Sequence, residues 1–299
     1  MKNNMFGFYL MNKKGLFVLK SVFRKFSNKN IAFVASSKDK NLLNDSYEEI
    51  KLFCFSNNIA FFDKSEDINI STDYVFAIGW RWLIKEKSET RIIVLHDSLL
   101  PKYRGFSPIV TALINGEEKV GVTALTANAE YDKGDIIAQE SLRITYPVKI
   151  KNVIDDICVL YGSIVLYIME TLIFTDNIAT IKQKNEEATY SLWRDEDDYF
   201  IDWNKSSSFI KRFIDAVGDP YLGASSYVGK KKIRILDAEV VDDVKIANRD
   251  VGKVIYLLNE CPCVVCGNGI VKINSMIDDE TREQFVLPKF RVRFGRNTQ

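Results

Sequence analysis

The sequence predicts an α/β domain built on an open, mostly parallel sheet, followed by a smaller β-rich domain. Two patterns carry that reading. Over the first hundred residues, short apolar runs alternate with stretches whose apolar residues recur at helical spacing. Runs of the first kind suit strands buried on both faces of a parallel sheet. Beyond about residue 190, short strand-like segments are separated by Gly- and Asn-containing turns, the pattern of a small barrel or sandwich.

In chain order, the strand segments are "FGFYLM" (6–11), "IAFVAS" (31–36), "IAFF" (59–62), "YVFAIGW" (74–80) and "RIIVLH" (91–96). Between them, "KKGLFVLKSVFRKF" and "SYEEIKLFCFSNN" read as amphipathic helices, with charges opposite the apolar stripe. Strand–helix–strand alternation requires right-handed crossovers and places ligands outside the carboxyl ends of the strands. A helix follows at 108–117, opened by Pro108 in its first turn, then a strand at 120–127, the turn "NAEYDKGD" (128–135) and the segment "IIAQESLRI". The stretch 151–174 reads as a core helix, because at membrane length it would still carry Asp155, Asp156 and Glu170. The polar run 182–198 reads as a linker or domain edge, and a helix is expected around 205–217. "GASSYVGKKKIRILDAEVV", "GKVIYLL" and "CVVCGNGIVKINSM" supply the β-rich remainder. The expected domains are therefore 1–190 and 191–299.

Composition narrows the function classes. The 41 basic and 40 acidic residues give a net charge of +1, so no overall field draws in nucleic acid or an anionic membrane. No signal peptide or membrane span is read, and the expected location is the cytoplasm. Five cysteines, three of them in "CPCVVC" (Cys261, Cys263, Cys266), admit either a thiolate metal site or plain packing around the Gly-Asn-Gly turn. No histidine and no second CxxC lies nearby, and no metal is expected. There is no GxGxxG after the first strand and no P-loop motif, so the sheet is Rossmann-like without the usual dinucleotide or P-loop signature.

The chain has one histidine, His96, placed where the "RIIVL" strand stops. Asp132 lies in a Gly-containing loop after a second strand. If those strands neighbour one another, the carboxylate reaches the imidazole, fixes its orientation and favours its protonated form. Residue types alone leave His96 as either a hydrogen-bonded core residue or half of an acid/base pair.

The stretches "HDSLLPKYRG" (96–105), Gly121-Val122-Thr123 and "DKGD" (132–135), in this order and spacing, resemble the formyltransferase family that uses N10-formyltetrahydrofolate. "RDEDDYFIDW" (194–203) and "DPYLGASSYVGKKKIRI" (219–235) are similar to the linker and OB-like C-terminal barrel of its methionyl-tRNA and nucleotide-sugar members. The nucleotide-sugar N-formyltransferases are the most similar subgroup. The resemblance implies that an amine attacks the formyl carbon of the folate, with His96 stabilising the oxyanion and moving protons while Asp132 holds and polarises it. It implies a pterin pocket formed by Ile78, Gly79, Trp80, Arg81, Trp82, Leu83 and Ile84 with Asn128, Glu130 and Tyr131, largely through backbone groups. Ser98, Lys102, Tyr103 and Arg104 would face the acceptor, with Lys102 and Arg104 on its pyrophosphate. The family places an asparagine two positions before the histidine, and this chain has Val94 there. Loss of such a donor costs on the order of 10²–10³ in rate elsewhere.

The expected acceptor is a nucleotide-linked amino sugar used for lipopolysaccharide or other surface polysaccharide. Near-zero charge disfavours tRNA, and "GKKKIRI" (229–235) reads as a solvated hairpin. The alternatives are a methionyl-tRNA formyltransferase, or a catalytically weak relative that holds folate or nucleotide sugar. A homodimer stays open as the assembly.

Overall fold

A computed structural model describes residues 4–40, 42, 45–84 and 89–296. The chain divides into two compact units. The first comprises residues up to Pro108, Lys119–Arg143 and Val153–Leu192; the second comprises Ile109–Glu118, Ile144–Asn152 and Trp193 onward.

The first unit is a seven-stranded mixed sheet. Strands β1 (Phe6–Leu10), β2 (Ile31–Ser36), β3 (Phe61–Asp63), β4 (Tyr74–Ile78) and β5 (Arg91–His96) are parallel, in the order β3-β2-β1-β4-β5. β6 (Arg104–Gly105) leaves this sheet and pairs with a late two-residue strand. After α3 (Pro108–Asn115), β7 (Lys119–Thr126) and β8 (Ile136–Arg143) extend the sheet antiparallel beyond β5. The chain reverses between β1 and β4, which is the position where open α/β sheets open a crevice.

Side-chain alternation decides what each face carries. Phe6, Phe8, Tyr74 and Phe76 stack ring on ring on one face. Helix α1 (Asn12–Phe26) covers that face, so closely that a Cβ on Gly15 would lie 2.9 Å from Leu10 Cβ. Helix α2 (Tyr47–Ser56) meets α1 through Phe23 and Phe53 and packs Tyr47 on Phe61. Helix α4 (Ile150–Thr175) lies beside α1, with Gly162 against Phe17. By length and composition α4 could cross a membrane, yet half of its most apolar window is buried within the fold. All three helices thus share one face. The other carries Tyr9, Phe33, Ala35 and Val75, covered in part by Ile68, Ile70, Trp80 and Ile84.

Residues 182–198 are more than a linker. Within them β9 (Tyr190–Ser191) pairs with β6, and Thr189 accepts from the backbone of Arg104 and, through its hydroxyl, of Tyr103.

The second unit is a six-stranded antiparallel sheet, in the order β12-β13-β14-β11-β10-β15, with helix α5 (Ser207–Ala216) packed on it. Its strands are β10 (Ala224–Val228), β11 (Lys231–Val241), β12 (Val254–Leu258), β13 (Cys261–Val265), β14 (Ile270–Asp278) and β15 (Phe294–Gly295). Lys231 pairs with Asp278 and Lys232 with Glu196, so acids face the basic start of β11. The "CPCVVC" segment is β13 and the turn after it. Among the described residues, no group of three or more His, Cys, Asp or Glu is placed to hold a metal ion. Burial pushes the thiols of Cys54 and Cys266 up to about 12 and that of Cys158 to about 11, and raises Cys263. Such thiols are protonated and inert at neutral pH. Titration of the native protein with a disulfide reagent should therefore show one readily reacting thiol, the partly exposed Cys261, and the remainder only after unfolding. Rapid reaction of Cys266 in native protein would contradict this packing.

Candidate active site

The site is built where β5 ends. Antiparallel β7 sets Thr123 directly opposite His96, and β8 sets Gln139 opposite Thr123. This row anchors the loop that follows His96. Thr123 Oγ1 donates to Ser98 O (2.6 Å) and accepts from Leu100 N (3.1 Å) and Gln139 Nε2 (2.8 Å). Gly121 is required for the same docking, since a Cβ there would lie 2.5 Å from Leu99 Cδ2 and 2.3 Å from Glu140 O. The Gly-Val-Thr strand thus fastens the 98–101 loop to the sheet.

The reversal from β7 into β8 brings Asp132 to the histidine. Gly134 makes this possible: a Cβ at that position would sit 1.7 Å from Thr126 O. Asp132 has φ 55°, and Tyr103 and Ser107 in the facing loop have φ 59° and 47°. Such left-handed backbone at non-glycine residues persists only where surroundings enforce it, and it gathers at working sites. His96 Nδ1 lies 3.5 Å from Asp132 Oδ1, with both side chains largely buried. Its Nε2 lies 2.8 Å from Tyr103 O, and Asp132 Oδ2 accepts from Gly105 N at 2.8 Å. Both ring nitrogens therefore face oxygen. A neutral imidazole can donate to only one of them, a protonated ring to both. The Tyr103 carbonyl orients the ring and leaves Nδ1 facing the carboxylate.

Arg104, expected on the acceptor's pyrophosphate, lies instead inside the fold. It is 1% exposed, and its guanidinium donates to Gln183 Oε1 (2.7 and 3.1 Å) and Asn185 Oδ1 (2.9 Å). Gln183, oriented in this way, donates to Asp132 O (2.7 Å) and Gly134 O (2.8 Å). Arg104 thus positions the carboxylate loop through Gln183. Gln183 had no signal in the sequence, because a lone glutamine in a polar run looks like any solvated residue. Ser98 is likewise buried, its hydroxyl donating to Lys102 O at 2.7 Å. Lys102 is exposed and Tyr103 is half-buried.

The segment after β4 lies over the helix-free face. Gly79 turns the chain at φ 66°, Trp80 packs on Tyr9 (4.9 Å between centroids) and Trp82 on Trp80 (5.0 Å). Ile78 points among the helices and is fully buried, so only its backbone can face a ligand. Arg81 pairs with the buried Asp39. Trp80 Nε1 and Asn12 Oδ1 are buried and make no hydrogen bond. Leu83 and Tyr131 are 87% and 84% exposed, and Asn128, Glu130 and Tyr131 lie together on the 128–132 turn. Val94, on the same face as His96, is half-buried in a central strand whose opposite-face residues Ile93 and Leu95 are fully buried. It therefore borders open space beside the imidazole.

A strand-end imidazole thus stands beside a carboxylate and next to an aromatic-rich face of the sheet. The family model "Formyl transferase" matches residues 59–156, and "Formyl transferase, C-terminal domain" matches residues 194–284. Together they account for more than half of the chain, which belongs to the formyl transferase family and is an enzyme of formyl transfer. The fold is similar to that of WlaRD, a sugar 3N-formyl transferase crystallised in the presence of dTDP and 5-N-formyl-THF. That match has 19% identity and a TM-score of 0.66, and covers 91% of this chain and 98% of that one. The Helicobacter canadensis N-formyltransferase, in complex with folinic acid and dTDP-3-aminofucose, matches at 17% identity and TM-score 0.65, covering 94% of this chain and 100% of that one. Methionyl-tRNA formyltransferase from Clostridium thermocellum matches at 20% identity and TM-score 0.53, over 79% of this chain and 94% of that one.

Proposed function

We propose that this enzyme transfers the formyl group of N10-formyltetrahydrofolate to the amine of a nucleotide-linked amino sugar, such as a dTDP-amino-dideoxy sugar, in the cytoplasm and for surface polysaccharide synthesis. The observation that carries the reading is the likeness, spanning both units and nearly the whole of each partner, to sugar formyltransferases crystallised with dTDP-type ligands and formyl-folates. In this reading residues 1–190 are the catalytic domain and 191–299 the C-terminal β-rich domain.

The sheet face opposite α1, α2 and α4 carries groups that support a pterin site. Trp80 offers an unused buried N–H, Ile92 and Val94 form a half-open aliphatic floor, and Leu83 and Tyr131 are apolar groups for a ligand to cover. When bound, the folate supplies an activated formyl carbon. His96, held by Tyr103 O and facing Asp132, would stand beside the formyl group, and the pair would take up the proton released by the attacking amine and return it to the folate nitrogen as its bond to the formyl carbon breaks. Lys102 and Tyr103 lie on the acceptor side of that loop.

Val94→Asn tests where the formyl oxygen sits. Position 94 shares the face of His96 and borders open space, so an amide there adds a donor beside the imidazole. We expect kcat to rise about tenfold, less than the 10²–10³ a native donor contributes because the new one is not pre-oriented. A fall in kcat would place the formyl oxygen elsewhere.

The deciding experiment is to follow release of tetrahydrofolate from N10-formyltetrahydrofolate with dTDP-, UDP- and GDP-linked amino sugars, and in parallel with charged initiator tRNA. Turnover with one nucleotide sugar and none with tRNA is the expected result. Formylation of the tRNA would overturn the sugar reading, and no turnover with any amine would favour a folate- or nucleotide-sugar-binding role.

A further inference from the structure

Asp97 follows His96 and leaves β5 on the opposite side, among the helices. Lys14 of α1 ion-pairs with its Oδ2, and the Tyr161 hydroxyl of α4 donates to its Oδ1 at 2.6 Å. The same hydroxyl lies 3.4 Å from Leu95 O, and the Lys14 ammonium 5.6 Å from the centroid of the Tyr161 ring. One phenol therefore contacts the residues immediately before and after His96. The Lys14 and Asp97 side chains are only 15% and 18% exposed. Burial pushes the Asp97 carboxyl up, but the Lys14 charge and the two hydrogen bonds outweigh it and hold the group below its usual range. Burial, then the neighbouring carboxylate, pushes the Tyr161 phenol well above its ordinary value. The cluster is thus an ion pair capped by a neutral hydroxyl. A buried pair of this kind rarely stabilises a fold more than apolar packing of the same volume would. Its placement, bracketing the imidazole, points to geometry and local charge instead.

We propose that Lys14, Asp97 and Tyr161 form a positioning network for His96, gripping from the helix side the strand end whose other side carries the imidazole. The proposal rests on His96 being the reacting imidazole. Two consequences follow from the arrangement. Tyr161 holds the Asp97 carboxylate and lies against the Leu95 carbonyl, so its loss lets the strand end shift and the ring depart from the line of the reacting atoms. Asp97 and Lys14 also act on the ring through space with opposite signs. The other titratable groups around the ring and this cluster are Asp132 from the β7–β8 turn, Lys13 from α1, and Asp155 and Cys158 from α4; Tyr103 presents its backbone carbonyl.

Because His96 is the only histidine, one imidazole Hε1 resonance in tag-free protein reports its protonation directly. Asp97→Asn removes an anion and exposes the Lys14 charge, so the midpoint of that resonance should move to lower pH. Lys14→Met exposes the Asp97 charge and should move it to higher pH. Each change is expected to be about threefold in proton affinity. Tyr161→Phe changes neither volume nor charge, and should lower kcat about tenfold with both KM values within twofold. Midpoints that stay fixed, or that move in the same direction in both charge variants, would overturn the proposal, since general loosening has no sign. If either charge variant does not fold, the kcat against KM split of Tyr161→Phe decides, and unchanged kcat refutes the network. Opposite midpoint shifts together with an active His96→Asn enzyme would leave the coupling standing and refute instead the catalytic reading on which it rests.

Discussion

Replacing His96 with asparagine is expected to lower kcat for formyl transfer by about 10³ while the protein remains folded. An asparagine amide takes the place of Nδ1, facing Asp132, and falls short of Tyr103 O, so the hydrogen bond from Nε2 to its loop is lost without unfolding the protein. The loop itself is fastened independently by Thr123, through Ser98 O and Leu100 N. What disappears is a group able to carry a proton and a positive charge at the end of β5. An amide has a dipole but no titratable site, so it retains part of the electrostatic help and none of the proton transfer. Steady-state assay of tetrahydrofolate release, with a melting curve on the same preparation, checks both halves of the expectation. A variant within tenfold of the wild-type kcat would remove His96 from the chemistry.

Asp132→Asn is the second large effect, again on the order of 10³ in kcat. The carboxylate has two neighbours with opposite demands. Its Oδ2 accepts from Gly105 N, which an amide oxygen can still do, so the loop pairing is kept. Its Oδ1 faces His96 Nδ1, where the asparagine would now place an N–H. That N–H donates to the Nδ1 lone pair and holds the ring neutral, with its other proton on Tyr103 O. The pair can then no longer take up a proton from the amine. The expected signature is a kcat loss with KM values for folate and amino sugar changed little, because an amide oxygen keeps the Gly105 contact and the Gln183 contacts go to the loop backbone. A KM effect without a kcat effect would mean that Asp132 binds the acceptor and does not brace the histidine.

Strands β1, β2 and β4 were readable because a strand buried on both faces leaves a run of apolar residues whatever it packs against, and β3 and β5 because their apolar runs are short and follow the same spacing. The helices α1 and α2 were readable for the same local reason at a different period. His96 and Asp132 became legible only as a linked set with the 96–105, 121–123 and 132–135 motifs. The structure supplies the physical content of that linkage: Gly121 lets Leu99 seat, Thr123 fastens the loop, and Gly134 lets the turn come within reach.

Arg104 shows the limit. In sequence it is a cation in a loop beside the histidine, and a substrate contact is the natural expectation. In the fold it reaches Gln183, 79 residues away, which in turn holds the Asp132 backbone 51 residues back. Asp97 is the same lesson on the other face, since its partners Lys14 and Tyr161 lie 83 residues before it and 64 after it.

The sequence by itself determined the order and kind of the main strands and helices and pointed to His96 and Asp132 as a pair, because periodicity and linked motifs are properties of neighbouring residues. Tertiary structure alone decided that the three helices share one face, that Trp80 packs on the other beside Tyr9, and which polar groups hold the pair in place. Periodicity records that a face is buried but not what buries it, and a polar side chain's role depends on a partner that chain folding, not sequence proximity, brings within hydrogen-bonding distance.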